Sequence, residues 1–112
     1  MKNPQTLRNK EDFDRLHKNG KSVGSRYVVL VSLKNQFSCN RKAFLASKKV
    51  GNSVQRHRAV RLMKEAFRQI LKERSLKEGY DFLFIARNTI NDSKCADVKK
   101  SIEAALKRAN LI

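Results

Sequence analysis

Asn52-Ser53-Val54-Gln55-Arg56-His57-Arg58-Ala59-Val60-Arg61-Leu62-Met63-Lys64-Glu65-Ala66-Phe67-Arg68-Gln69-Ile70-Leu71-Lys72 is the stretch on which the fold turns. Asn52 is a natural N-cap, and the pattern behind it predicts a long helix running to about Glu78, where Gly79 ends it. Ala59, Leu62, Met63, Ala66, Phe67, Ile70 and Leu71 recur at helical spacing and form an apolar face. His57, Arg61, Lys64, Arg68 and Lys72 recur on a different face. One side of this helix belongs to a core and the other is a basic stripe.

Upstream, Asn9 caps a shorter helix that carries Phe13, Leu16 and His17 at helical spacing and closes at Gly20. Arg26 to Leu33 is dominated by β-branched and aromatic residues and predicts a strand, as does Arg41 to Ser47. The polar segment between them has the length of an antiparallel hairpin connection. Downstream, Tyr80 to Ala86 predicts a third strand, a turn follows from Asn88 to Asp92, and Ser93 opens a last helix. Its apolar seam is Cys95, Val98, Ile102, Ala105, Leu106 and Ala109. With no repeat, low-complexity segment or linker, the order α-β-β-α-β-α predicts one α+β sandwich over residues 1–112, built on a mixed sheet.

The 112 residues are 40% apolar and include six Phe, enough to fill one core without a metal or a disulfide framework. Against 26 Lys+Arg stand 10 Asp+Glu, a net charge of +16. Such an excess opposes compaction unless a polyanion faces part of the surface, which argues against an ordinary small-metabolite enzyme. Cys39 and Cys95 lie far apart with no zinc-ligand companions, and read as reduced thiols of a cytoplasmic protein. Met1 to Gln5 holds no apolar export signal. The longest apolar runs, Tyr27 to Val31 and Phe82 to Ala86, fall far short of the ~20 residues of a membrane span. The expected partner is therefore nucleic acid rather than a membrane.

No catalytic set is legible. His17 and His57 sit among cations, and Glu11, Asp12 and Asp14 suit the first turn of a helix, where carboxylates complement the dipole. Gly24 and Gly51 lack the frame of a phosphate loop. By contrast, Lys48, Lys49, Arg56, His57, Arg58, Arg61, Lys64 and Arg68 crowd one segment in which only Glu65 interrupts the positive charge. Surface helices usually intersperse both signs, so this density points to phosphate contacts. Asn52 adds helix N-terminal amides that suit an incoming anion. Arg56 falls nearer the apolar side by angle, which suits a role bracing the helix start.

Lys48-Lys49-Val50-Gly51-Asn52-Ser53-Val54-Gln55-Arg56-His57-Arg58 resembles the signature of the protein subunit of bacterial ribonuclease P. The family pattern is a basic pair, an apolar residue, Gly-Asn, three further residues and Arg-Asn-Arg; His57 replaces the central Asn. The likeness extends to Asn9–Phe13, the Val-rich strand, Ala66-Phe67 and Ile85-Ala86-Arg87. It implies an accessory protein that binds a catalytic RNA and the single-stranded 5′ leader of precursor tRNA, with Mg²⁺ held mainly by RNA and substrate. No catalytic residue, membrane or protein partner is implied for the chain itself. By position, RNA-subunit contact is implied for Lys48, Lys49, Asn52, Arg56, His57, Arg58, Arg61, Lys64 and Arg68. A leader cleft is implied at Phe13, where the family has an aromatic, and at His17 and Val31. Tyr27, on the Val31 face by strand parity, could supply a ring there. Phe13 serves equally well as a core residue. The family also implies a ribosomal-protein-like fold with a left-handed crossover around the long helix. The rival readings are a ribosomal RNA-binding protein, then a DNA-binding helix module, and last a membrane-surface helix.

Overall fold

The long helix begins as its sequence dictates, through a reciprocal cap. Asn52 Oδ1 accepts from the Gln55 amide at 2.9 Å, and the Asn52 amide donates to Gln55 Oε1 at 2.9 Å. In the structure, a computed structural model that describes residues 5–112, this helix is α2, Ser53–Glu73. It stops short of the expected Glu78. The chain turns away at Arg74 so that Leu76, 5% exposed, is buried and the Lys77 amide can reach Leu111 O at 3.0 Å. Gly79, at φ +84°, serves the entry to the next strand instead. The polar segment Met1–Pro4 lies outside the described residues.

The other elements are β1 (Gln5–Thr6), α1 (Lys10–Asn19), β2 (Lys21–Gly24), β3 (Val28–Lys34), β4 (Arg41–Leu45), β5 (Tyr80–Ala86), a 3₁₀ turn (Asn88–Asp92) and α3 (Cys95–Arg108). They form one mixed sheet of order β1-β4-β5-β3-β2. The expected β3–β4 hairpin does not form, because β5 lies between these strands. It pairs antiparallel with β3, from Val28↔Ala86 to Lys34↔Tyr80, and parallel with β4, from Arg41↔Asp81 to Leu45↔Ile85. Two asparagines in the β3–β4 connection guide it there. Asn35 Nδ2 donates to Asp81 Oδ1 at 2.9 Å, and Asn40 Oδ1 accepts from the Tyr80 amide at 2.9 Å. The hairpin of this fold is β2–β3, with Gly24↔Val29 beside a turn in which the Ser25 amide and hydroxyl both donate to Val28 O. β3 therefore starts at Val28 rather than Arg26, and β4 ends at Leu45 rather than Ser47. Ser93 does not cap α3; it is buried, its hydroxyl closes the 3₁₀ turn on Ile90 O at 2.7 Å, and Lys94 precedes the helix.

The two faces of the sheet are covered differently. Val28, Leu30, Phe82 and Phe84 meet α2 and α3 in the larger core, with Met63, Phe67, Ile70, Ile102 and Leu106. On the other face α1 lays Leu16 over a smaller cluster of Leu7, Val31, Ala43 and Leu83. Gly20 permits this close approach, since a Cβ there would come within 2.6 Å of Val31 Cγ1. An ionic clasp fixes the N-terminal half of α1. Asp81, fully buried on β5, accepts from Arg41 at 2.7 and 2.8 Å, Asn35 at 2.9 Å and Arg15 at 3.0 Å. Arg41 and Arg15 also reach Asp12 at 3.1 to 3.2 Å. Burial pushes the Asp81 carboxyl up, but these hydrogen bonds outweigh it and hold it below its ordinary value.

Candidate nucleic-acid interface

The basic face of α2 borders a groove of about 590 Å³ that runs between this helix and β4. Arg56, His57, Arg61 and Lys64 line it, and Phe44, Leu45 and Val60 supply its apolar surface. His57, Arg61 and Lys64 are exposed, as the stripe predicts. The bracing suggested for Arg56 is made by Arg58 instead. Arg56 joins the groove, making one contact with Ser53 Oγ at 3.3 Å, and its Nε is buried with no partner among the described residues. Arg58 braces the fold, donating to Ile90 O at 3.2 Å and Ser93 O at 2.5 Å across the 3₁₀ turn. The two lie on opposite sides of His57, roughly 200° apart around the helix. Only the side of Arg58 meets the 3₁₀ turn.

Arg68 is exposed but is shared with Glu65, to which it donates at 2.8 and 2.5 Å. Hydrogen bonds from Arg68 and Gln69 hold the Glu65 carboxyl down at about 2. Lys48 and Lys49 are exposed on a turn just before α2, and Val50, 3% exposed, anchors that turn. Asn91 Nδ2 donates to Val50 O at 2.6 Å and fixes it further. Gly51, at φ +142°, is required here: a Cβ would come within 2.6 Å of Gln55 Cδ and break the cap. The Asn52 side chain is occupied by that cap, so at this position only the backbone of the first helical turn is left to face an anion.

On the opposite face of the sheet, Phe13 is half-buried against the Leu7–Leu16 cluster, His17 is exposed on the last turn of α1, and Val31 is buried in that cluster. Tyr27 is not with them. It precedes β3, so strand parity does not reach it, and it packs against the larger core. Its amide donates to Ser101 Oγ at 3.1 Å, and the Arg26 guanidinium lies 5.3 Å from its ring centroid.

Two features were not singled out from the sequence. The first is a row of partly exposed residues on the face that carries α1: Leu45, Ile85 and Val29, neighbours by register, with Leu45 41% exposed. At its end stands the exposed Arg87, which donates to Ser25 O at 2.9 Å. Period-2 alternation in Ala43–Leu45 and Leu83–Ile85 was the available signal. The second is Lys42, whose ammonium is shifted down by burial and by Lys64. Among the described residues no group of three or more His, Cys, Asp and Glu could hold a metal ion, and no helix is long and apolar enough to cross a membrane.

The Ribonuclease P family model matches residues 1–110. The ribonuclease P protein component of Alkaliphilus oremlandii is 40% identical over 112 residues, covering 100% of this chain and 96% of the relative. That of Pelotomaculum thermopropionicum is 40% identical over 111 residues, with 99% and 97% covered. Among solved structures, the Staphylococcus aureus RNase P protein is 29% identical with a TM-score of 0.79, covering 97% of this chain and 98% of that one. The Thermotoga maritima RNase P protein is 26% identical, also at 0.79, with 93% and 96% covered.

Proposed function

The chain belongs to the ribonuclease P protein family, and from that premise we propose how its surfaces divide the work of the enzyme. It is the RNA-binding protein subunit of the ribonuclease P endoribonuclease, which matures tRNA 5′ ends, and its partner is the ribonuclease P RNA. The observation that carries the division is the α2–β4 groove, where Arg56, His57, Arg61 and Lys64 converge. This groove binds the RNA subunit, with Lys48, Lys49 and the first turn of α2 extending it. Cations there neutralise phosphates and release counterions, so binding weakens with salt. Arg68 contributes less, because Glu65 shares its charge.

The opposite face takes the single-stranded leader of precursor tRNA. Phe13 offers a ring for an unstacked base, His17 lies one turn along α1, and the row Val29–Ile85–Leu45 extends the apolar floor toward Arg87. Stacking on an aromatic face contributes about 1–3 kcal/mol per base. Mg²⁺ belongs to the RNA subunit and the substrate in this reading. Asp12 and the buried Asp81 fit it poorly, since Arg15 and Arg41 already engage them.

The test is cleavage of a 5′-labelled precursor tRNA by a bacterial ribonuclease P RNA at low Mg²⁺, with and without the protein. Rescue of correct 5′ cleavage, absent with protein alone, is the expected result. No rescue, together with tight binding to ribosomal RNA, would replace this reading by that of a ribosomal RNA-binding protein.

A further inference from the structure

Farther along α2, a second cleft of about 610 Å³ opens at the edge of β4. Among the described residues β1 pairs with β4 at Arg41 and Lys42, and β4 continues past its neighbour into this opening. Phe44, Val60 and Phe67 form an apolar floor, and Phe13 reaches the cleft from α1. Lys42 and Lys64 also line it, and burial together with the neighbouring Lys64 charge pushes the Lys42 ammonium down. None of the residues lining it is a carboxylate. Aromatic surface beside paired ammonium groups, in a volume of this size, matches a small ligand with a flat apolar part and an anionic part.

We propose that this cleft takes one unpaired nucleotide of the ribonuclease P RNA subunit, its base against Phe44 and its phosphate between Lys42 and Lys64. The RNA subunit is the source because the cleft shares Phe44, Val60 and Lys64 with the groove assigned to that RNA, so a strand following α2 passes from one into the other. The assignment rests on reading the chain as the protein subunit of ribonuclease P. Lys42 and Phe44 lie on β4, outside the basic stripe of α2.

Adenosine 5′-monophosphate titrated into the isotope-labelled wild-type chain, followed by amide chemical shifts, tests the site directly. The expected result is shifts centred on Lys42, Phe44 and Lys64 that inorganic phosphate does not reproduce. Identical patterns from both ligands, or no response in β4, would overturn the proposal. In the complex, Phe44→Leu is expected to weaken RNA-subunit binding about 5- to 10-fold at fixed salt with an unchanged salt slope, and Phe44→Tyr to retain affinity. Lys42→Gln is expected to make the slope shallower by about 0.7–0.9. Melting curves separate these effects from unfolding. Full affinity in Phe44→Leu, or a defect confined to substrates carrying a leader, would also overturn it. A wild-type chain that fails to activate the RNA would instead strike the functional reading, so the two failures are distinguishable.

Discussion

The two faces of the sheet are built by different physics. Toward α2 and α3 the contacts are mainly apolar, with Phe67 among the rings of Phe44, Phe82 and Phe84 at centroid distances of 4.8 to 6.2 Å and Ser101 adding hydrogen bonds to Ser25 and Tyr27 at the margin. Toward α1 only a small apolar cluster is closed, and a buried carboxylate with two arginines does the rest. The first arrangement is non-directional and tolerates no gap. The second is directional, so it can hold a short helix in place without covering the whole sheet. The row Leu45–Ile85–Val29 stays accessible for that reason.

The comparison breaks first at Phe67. Phe67→Ala empties the centre of the ring cluster and is expected to cost about 3–5 kcal/mol, measured by urea unfolding. A loss under 1 kcal/mol would mean that the helical face is not the main store of stability. On the other face, Asp81→Asn leaves Arg41 and Arg15 without their buried partner. Because Arg15 is 39% exposed, the expected cost is reduced to about 2–3 kcal/mol. The two faces should also differ in their response to acid. The folded-state pKa of Asp81 lies below its ordinary 3.8, so its contribution is present above that value and lost as pH falls through the lower folded value. Wild type should therefore lose its advantage over Asp81→Asn as pH falls below the ordinary carboxylate range, whereas the loss in Phe67→Ala should not depend on pH. A gap between wild type and Asp81→Asn that stays constant with pH would refute the clasp.

The helical face was largely legible in the sequence because it rests on periodicity. The apolar positions of the long helix, from Ala59 to Ile70, and the seam from Val98 to Leu106 are where spacing alone put them. Strand order was not legible. Arg26–Leu33, Arg41–Ser47 and Tyr80–Ala86 are all apolar runs, and the side chains that tie β5 between β3 and β4 are those of Asn35 and Asn40, which hold Asp81 and Tyr80. A polar connection of hairpin length carries no sign of that. β2 escaped notice because Val23 is its only large apolar residue. Tyr27 was misplaced because strand parity was extended one residue past the end of its strand. On the basic helix, the stripe could be read from spacing, but the outer members Arg56 and Arg58 could not be sorted, since that depends on which flank the 3₁₀ turn occupies.

Those two arginines give the finest test of the division between fold and interface. Both are half-buried, both belong to the segment that resembles the family signature, and only His57 separates them. Arg58→Ala removes two donors from the Ile90 and Ser93 carbonyls and is expected to cost about 1–2 kcal/mol of folding stability. Its effect on the salt dependence of RNA binding should be slight, because that guanidinium is spent inside the protein. Arg56→Ala should behave inversely, with little change in melting temperature and a salt slope shallower by about 0.7–0.9. Paired melting curves and salt titrations of both variants decide the matter. Equal slopes for Arg56→Ala and wild type would place Arg56 with the scaffold, and the groove would then depend on His57, Arg61 and Lys64 alone.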